Sequence, residues 1–270
     1  MAIFRSSRGA LHYESMGAGP PVVLLHGFTN YGLSWAPQLP ALVPAGYHVV
    51  VPDLPGHGRS APATGVCTVD DLASDVSALL DHLDEGPAAL CGLSLGGMVA
   101  QQLALDRPDL VRALVVANSR ASFVGAALEA AVDGWIALFE QEDGAVKRLR
   151  ATWPGLVNEA FRESAPGRAA YDAWTRVLAR VPGSSLCSVA RGMTRFDLRG
   201  RLAPLRMPVV VIAGQEDRLF TPEQTREIAD EIASAISTVI PGAGHLSNLD
   251  SADVFNQLLL DFLARHFPSS

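Results

Sequence analysis

Short apolar runs bounded by Gly or Pro recur along the first half of the chain, at Val22 to Leu25, Val49 to Val51, Ala88 to Cys91 and Leu114 to Ala117. None of them alternates with polar positions. Parallel strands covered by helices on both faces read this way, because no face is left for water. Between the runs the period becomes helical. Thr68 and Asp71 have capping-box spacing, and Val69, Leu72, Val76 and Leu80 share one face, which predicts a helix from Thr68 through Leu80. Beyond Ala117 the strand pattern stops. From Asn118 to Pro208 the chain is rich in Ala, Leu, Arg and Trp, and positions such as Val124, Leu128, Ala131, Trp135 and Leu138 keep helical spacing. Strand-like runs return only at Val209 to Ala213 and Thr238 to Ile240. Thr221, Pro222 and Glu223 supply an N-cap, a first-turn proline and an early acid for a helix to about Ala233, and Ala252 to His266 reads as an amphipathic final helix.

This order predicts an α/β fold: a doubly wound, mostly parallel sheet with a helical cap inserted before the last two strands. The expected division is a core of residues 1–117 and 209–270 and a cap of residues 118–208. Ligands of such sheets sit beyond the carboxyl ends of the strands, so chemistry is sought just after each apolar run.

Composition narrows the function classes. With 49% apolar and 18% charged residues over 270 positions, the chain can bury a large core and is not of disordered type. A net charge of −7 argues against nucleic acid, whose phosphates call for a basic face. No apolar run approaches the ~18 residues of a membrane span, and Arg5, Arg8, His12 and Glu14 interrupt the first segment, leaving no signal-peptide core. Cys67, Cys91 and Cys187 are too few and too scattered for a disulfide framework, and neither a CxxC nor an HxxxH pair occurs. The expectation is a cytoplasmic monomer or homodimer that uses no metal or cofactor.

The chemistry-bearing residues follow the strands. Directly after Ala88 to Cys91 comes Gly92-Leu93-Ser94-Leu95-Gly96-Gly97, a G-x-S-x-G turn from strand to helix that lifts a serine oxygen above the sheet. Gly92 and Gly96 are expected where a Cβ would collide with backbone, and the Leu95 amide, opening the helix, points where an oxyanion would form. A serine hydroxyl needs a base and an orienting acid. Gly214-Gln215-Glu216-Asp217 follows one late strand and Gly242-Ala243-Gly244-His245 the other. Asp217 is preferred to Glu216 because a shorter side chain in the turn is held more rigidly toward a histidine. His26-Gly27-Phe28-Thr29 follows the first parallel strand, where the Phe28 amide is expected as second oxyanion donor, with His26 bracing the loop and His57 a turn residue.

Together these segments, with Pro52-Asp53-Leu54-Pro55-Gly56-His57-Gly58-Arg59-Ser60, resemble the α/β-hydrolase superfamily from about Leu11 to Phe262. The order Ser94, Asp217, His245 is the one such a sheet requires. The resemblance implies a serine nucleophile (Ser94), a histidine general base (His245), an orienting aspartate (Asp217) and an acyl-enzyme resolved by water. Within the superfamily, Gly244-His245-Leu246-Ser247-Asn248-Leu249-Asp250 and Phe196-Asp197-Leu198-Arg199 are similar to 3-oxoadipate enol-lactonases and small carboxylesterases. Ser94 argues against dehalogenases, which place an aspartate there. The implied substrate is a small carboxylic ester or lactone. Phe28, Leu95, Trp135, Phe139, Trp153 and Trp174 are the expected pocket residues, and the arginines Arg120, Arg148, Arg191 and Arg195 are candidates to hold a substrate carboxylate. Two alternatives stay open: perhydrolysis on the same three residues, and a non-catalytic ligand-binding role.

Overall fold

The computed structural model describes residues 2–269. Eight strands form one sheet: β1 (Ala2–Ser6), β2 (Gly9–Met16), β3 (Pro21–Leu25), β4 (His48–Pro52), β5 (Ala88–Leu93), β6 (Val111–Ala117), β7 (Val209–Gly214) and β8 (Ala235–Ile240). Their order is β1-β2-β4-β3-β5-β6-β7-β8. From β4 to β8 every neighbour is parallel, while β1 and β2 form an antiparallel hairpin that adds to β4.

The central strands are apolar throughout because each serves two cores. Val23, Leu25, Val50, Leu90, Leu114, Val116, Val209 and Val211 pack into one cluster. Their neighbours Val22, Leu24, Val49, Val51, Ala89, Cys91, Val115, Val210 and Ile212 pack into the other. Side chains alternate across a strand, so burial on both faces removes any polar position from the run.

Two short helical segments, Gly32–Gln38 (a 3-10 turn) and α1 (Leu39–Leu42), precede β4, and α2 (Val69–Leu83) and α3 (Leu95–Asp106) flank β5. Thr68 and Asp71 form the expected capping box at α2, which runs three residues past Leu80 and ends at Asp84 in left-handed conformation, φ 50°. Five helices lie between β6 and β7: α4 (Ala126–Phe139), α5 (Gly144–Leu156), α6 (Glu159–Glu163), α7 (Ala165–Leu178) and α8 (Gly183–Met193). They form the cap. α9 (Pro222–Glu231) joins β7 to β8 and stops two residues short of Ala233, and α10 (Ser247–Asp250) precedes the final α11 (Ala252–His266).

Two features differ from the sequence reading. The amino-terminal hairpin has no counterpart in the sequence pattern: β2 buries Leu11 and Tyr13 but leaves His12 between them and Glu14 beyond them partly exposed, the alternation of a one-sided strand. β8 also starts earlier than Thr238 and is not a doubly buried strand. It is the sheet edge, and Ile236 and Val239 on it are exposed. Among the described residues no helix is long and apolar enough to cross a membrane.

Candidate active site

The turn after β5 holds Ser94 at φ 56° and ψ −118°, a conformation costly for any residue with a Cβ. Its surroundings impose it. A Cβ on Gly92 would lie 2.2 Å from the Gly96 carbonyl oxygen, and one on Gly96 would lie 2.0 Å from that of Leu25. Strand, helix and the neighbouring β3 therefore approach too closely for side chains at either glycine. The Ser94 amide donates to Ala117 O at 3.0 Å, and its carbonyl accepts from Met98 N at 3.1 Å and Ser119 Oγ at 2.8 Å. The residue is thus tied to β6 and α3 through its backbone, leaving the hydroxyl to the cavity it lines.

Asp217 lies after β7 and His245 after β8, and both are buried. His245 Nδ1 donates to Asp217 Oδ2 at 2.8 Å, so Nε2 is the ring nitrogen left for another partner. Asp217 is held from four directions. Its Oδ1 accepts from Leu219 N at 2.8 Å and Phe220 N at 3.0 Å, while Oδ2 also accepts from Asn118 Nδ2 at 3.0 Å. Burial by itself raises this carboxyl. The charge and hydrogen bond of His245, then Phe220 N and Asn118, outweigh burial and hold it below its ordinary value, ionised at neutral pH. Glu216, the rival acid, is exposed. The Phe220 ring stands edge-on to the imidazole, centroids 5.3 Å apart, and restricts its rotation.

Asn118 and Asp250 were not singled out in the sequence. Asn118, the first residue after β6, sits in left-handed conformation at φ 45°, accepts from Ser247 Oγ at 2.5 Å and donates to Gly244 O at 3.3 Å as well as to Asp217. Asp250 Oδ2 accepts from Gly244 N at 2.7 Å and Asn158 N at 2.9 Å, joining the His245 loop to the cap. An asparagine directly after a strand is the only sequence hint of the first. The second closes the Gly244 to Asp250 segment, where nothing local marks its bond back to Gly244 N.

The loop after β3 lies against Ser94: a Cβ on Gly27 would stand 3.3 Å from the serine Cβ. His26 braces it, accepting from Leu54 N at 2.9 Å through Nε2 and donating to Gly27 O at 2.8 Å through Nδ1. Burial lowers the pKa of His26 to about 4, so the ring is neutral, and with both nitrogens bonded to backbone neither is left to take a proton from Ser94. Burial, with His26 beside it, lowers His57 to about 3. The Phe28 amide donates to no acceptor among the described residues. Leu95 opens α3, where first-turn amides lack intrahelical acceptors.

Ser94 and His245 line one small cavity, about 40 Å³, closed by Phe28, Thr29, Phe123, Trp135, Arg148 and Trp174 among others. A larger one of about 340 Å³, beside Arg8, Asp71 and Asp75, contains neither Ser94 nor His245. Of the expected pocket aromatics, Phe28, Trp135 and Trp174 do line the smaller cavity, and Trp174 Nε1 donates to Thr29 O at 2.6 Å. Phe139, Trp153 and Leu95 are not among its lining residues. Phe139 packs behind Phe28, and Trp153 lies inside the cap against Phe161, Tyr171 and Trp174, because the apolar stripe of a helix first fills its own core. Of the four arginines only Arg148 reaches the cavity. Arg191 and Arg195 are exposed, and Arg120 lies over the Phe220 ring, 5.5 Å from its centre, outside the lining.

Comparison with known proteins agrees with this architecture. A solved hydrolase from Pseudomonas aeruginosa PA01 superposes with TM-score 0.88 at 32% identity, covering 97% of each chain. The 3-oxoadipate enol-lactonase 2 of Acinetobacter baylyi is 29% identical over 250 residues, 92% of this chain and 90% of its own. A bromoperoxidase from Bacillus anthracis superposes with TM-score 0.86 at 25% identity over 94% of this chain and 95% of its own. The family model for the alpha/beta hydrolase fold matches residues 20–252, and a serine elbow, a buried Asp–His pair and a helical cap all occupy that span: the chain belongs to the alpha/beta hydrolase fold family and is a hydrolase.

Proposed function

We propose that the protein is a serine hydrolase that cleaves a small carboxylic ester or lactone through an acyl-enzyme. The observation that carries this reading is the buried 2.8 Å His245–Asp217 pair opening on the same cavity as a serine held at positive φ. In this scheme Ser94 Oγ attacks the substrate carbonyl and passes its proton to His245 Nε2, while Asp217 fixes the tautomer and stabilises the imidazolium. The Phe28 and Leu95 amides donate to the tetrahedral oxyanion. Collapse breaks the acyl–oxygen bond, and the leaving oxygen takes the proton from His245; in a lactone it remains tethered to the acyl group. Water then gives a proton to His245 and attacks the acyl carbon; the bond from that carbon to Ser94 Oγ breaks, Oγ takes the proton from His245, and the acid leaves.

The cap of residues 118–208 sets the acyl specificity in this reading, since it supplies Trp135, Arg148 and Trp174 to the cavity wall. The small free volume suits a short substrate. Three free, buried thiols suit a protein working in a reducing compartment, the cytoplasm. Replacing Ser94 by Ala is expected to leave the circular dichroism spectrum unchanged and lower p-nitrophenyl acetate turnover by about a thousandfold or more. Wild-type turnover in that variant defeats the proposal. A panel of esters, lactones, carbamates and amides, blanked with Ser94→Ala, then ranks the bond types.

The likeness to a bromoperoxidase favours a second reading, in which hydrogen peroxide replaces water at the acyl-enzyme and yields a peracid. Peracid formation in acetate and peroxide that is negligible beside ester hydrolysis disposes of it.

A further inference from the structure

The cavity wall carries one feature that ester cleavage does not call for. Arg148 reaches it from α5 in the cap, half-buried, with Nε sealed from solvent and unpartnered among the described residues. Its guanidinium carbon lies 4.3 Å from the centre of the Trp135 ring and 5.6 Å from that of Phe28. The polar contact it makes is long, Nη1 to Thr29 Oγ1 at 3.5 Å. No carboxylate approaches it within 4.0 Å among the described residues, and none of the residues lining the cavity is Asp or Glu. Arg107 and Arg199 hold acids even at the surface, and the other half-buried arginine with an orphaned Nε, Arg120, lies outside the cavity. Burial alone acts on it, lowering its pKa to about 10, which leaves it charged at neutral pH.

An uncompensated cation on a largely aromatic wall is unfavourable in the free protein and becomes favourable when an anion enters. The three aromatic faces around it soften the penalty without using the N–H donors, and beyond the long Nη1 bond to Thr29 no protein acceptor among the described residues takes up the guanidinium's Nη groups. We infer that Arg148 is a specificity-determining residue of this cavity, holding a carboxylate of the substrate so that an anionic ester or lactone is selected over a neutral one of the same size. The inference rests on the hydrolase reading above for its substrate, and for its charge on a guanidinium that no carboxylate pairs among the described residues.

Two near-isosteric pairs test it in the wild-type enzyme at pH 7: monoethyl succinate against ethyl 4-methylpentanoate, with the charge on the acyl side, and acetoxyacetate against isobutyl acetate, with the charge on the alcohol side. In at least one pair the charged ester is expected to have a kcat/KM about tenfold or more above its neutral partner, through a lower KM. Arg148→Met keeps most of the stem and should bring that ratio to about one, while Arg148→Lys should restore part of it. Calorimetric binding of monoethyl succinate and acetoxyacetate to the Ser94→Ala protein, with and without Arg148→Met, gives a readout that needs no turnover. If no ester is hydrolysed but binding still depends on Arg148, the anion site stands and the hydrolase reading falls. Hydrolysis with no charge preference in either pair overturns the anion site and spares the hydrolase reading. A ratio unchanged in Arg148→Met also overturns it, since a residue acting only as a packing strut would lower both members of a pair together.

Discussion

Asp217 illustrates how a single side chain here is specified by its neighbours. Four donors on three different segments converge on its two oxygens, and the imidazole between it and the cavity has one nitrogen already committed. Asn118 is the least conspicuous of these donors. Its removal leaves Oδ2 with His245 alone and frees Gly244 O, so Asn118→Ala is expected to lower kcat by about tenfold or more with little change in KM. Unaltered kcat would show that the other three donors suffice. Ser94, His245 and Asp217 are legible in the sequence because each follows an apolar run in a turn that contains glycine. Asn118 follows such a run too, but a lone asparagine has no spacing partner to mark it, and its contact with Asp217 spans 99 residues.

At the scale of the element, the turn between β5 and α3 depends on backbones touching. Gly96 packs its α-carbon against the Leu25 carbonyl so closely that alanine would place a Cβ 2.0 Å from that oxygen. Gly96→Ala is therefore expected to destabilise by about 3 kcal/mol or more, read by urea denaturation, and to disturb the Leu25-His26 backbone that leads into the loop bearing Phe28. A variant of wild-type stability would mean that the turn can open without loss. The need for glycine was readable beforehand because it follows from local sterics. The hairpin of β1 and β2 was not, since its strands are half-exposed and acquire meaning only by pairing with β4, more than thirty positions on.

The whole molecule should respond to acid in one direction. His26 and His57 are buried neutral, lowered to about 4 and about 3 from an ordinary 6.5, mainly by desolvation. The unfolded chain then binds protons that the folded one refuses, so the stability tied to this pair is complete above pH 6.5 and is lost as pH falls through the window from 6.5 toward 4. Asp217, held low, loses its contribution at still lower pH. Asp75 and Asp250, raised mainly by burial, accept protons more easily in the fold and offset part of the loss. Unfolding free energy is expected to drop by a few kcal/mol between pH 7 and pH 4, with much of the slope removed in His57→Asn. A flat profile over that range would contradict the neutral, buried state of both rings.

Strand and helix alternation, the strand-to-helix serine turn and the loops that bear Asp217 and His245 could all be read along the chain, because periodicity, capping and glycine sterics act over a few residues. Which cap side chains face the cavity could not. Trp153 and Trp174 lie on neighbouring cap helices with the same helical logic, yet one fills the cap interior and the other bonds to Thr29 O, 145 positions away. Arg148 likewise is one arginine among several until α5 folds over the loop at Thr29, 119 residues distant, and leaves it without an acid among the described residues. Burial and partnership belong to packing between distant segments, and packing is where this protein chooses what its cavity will accept.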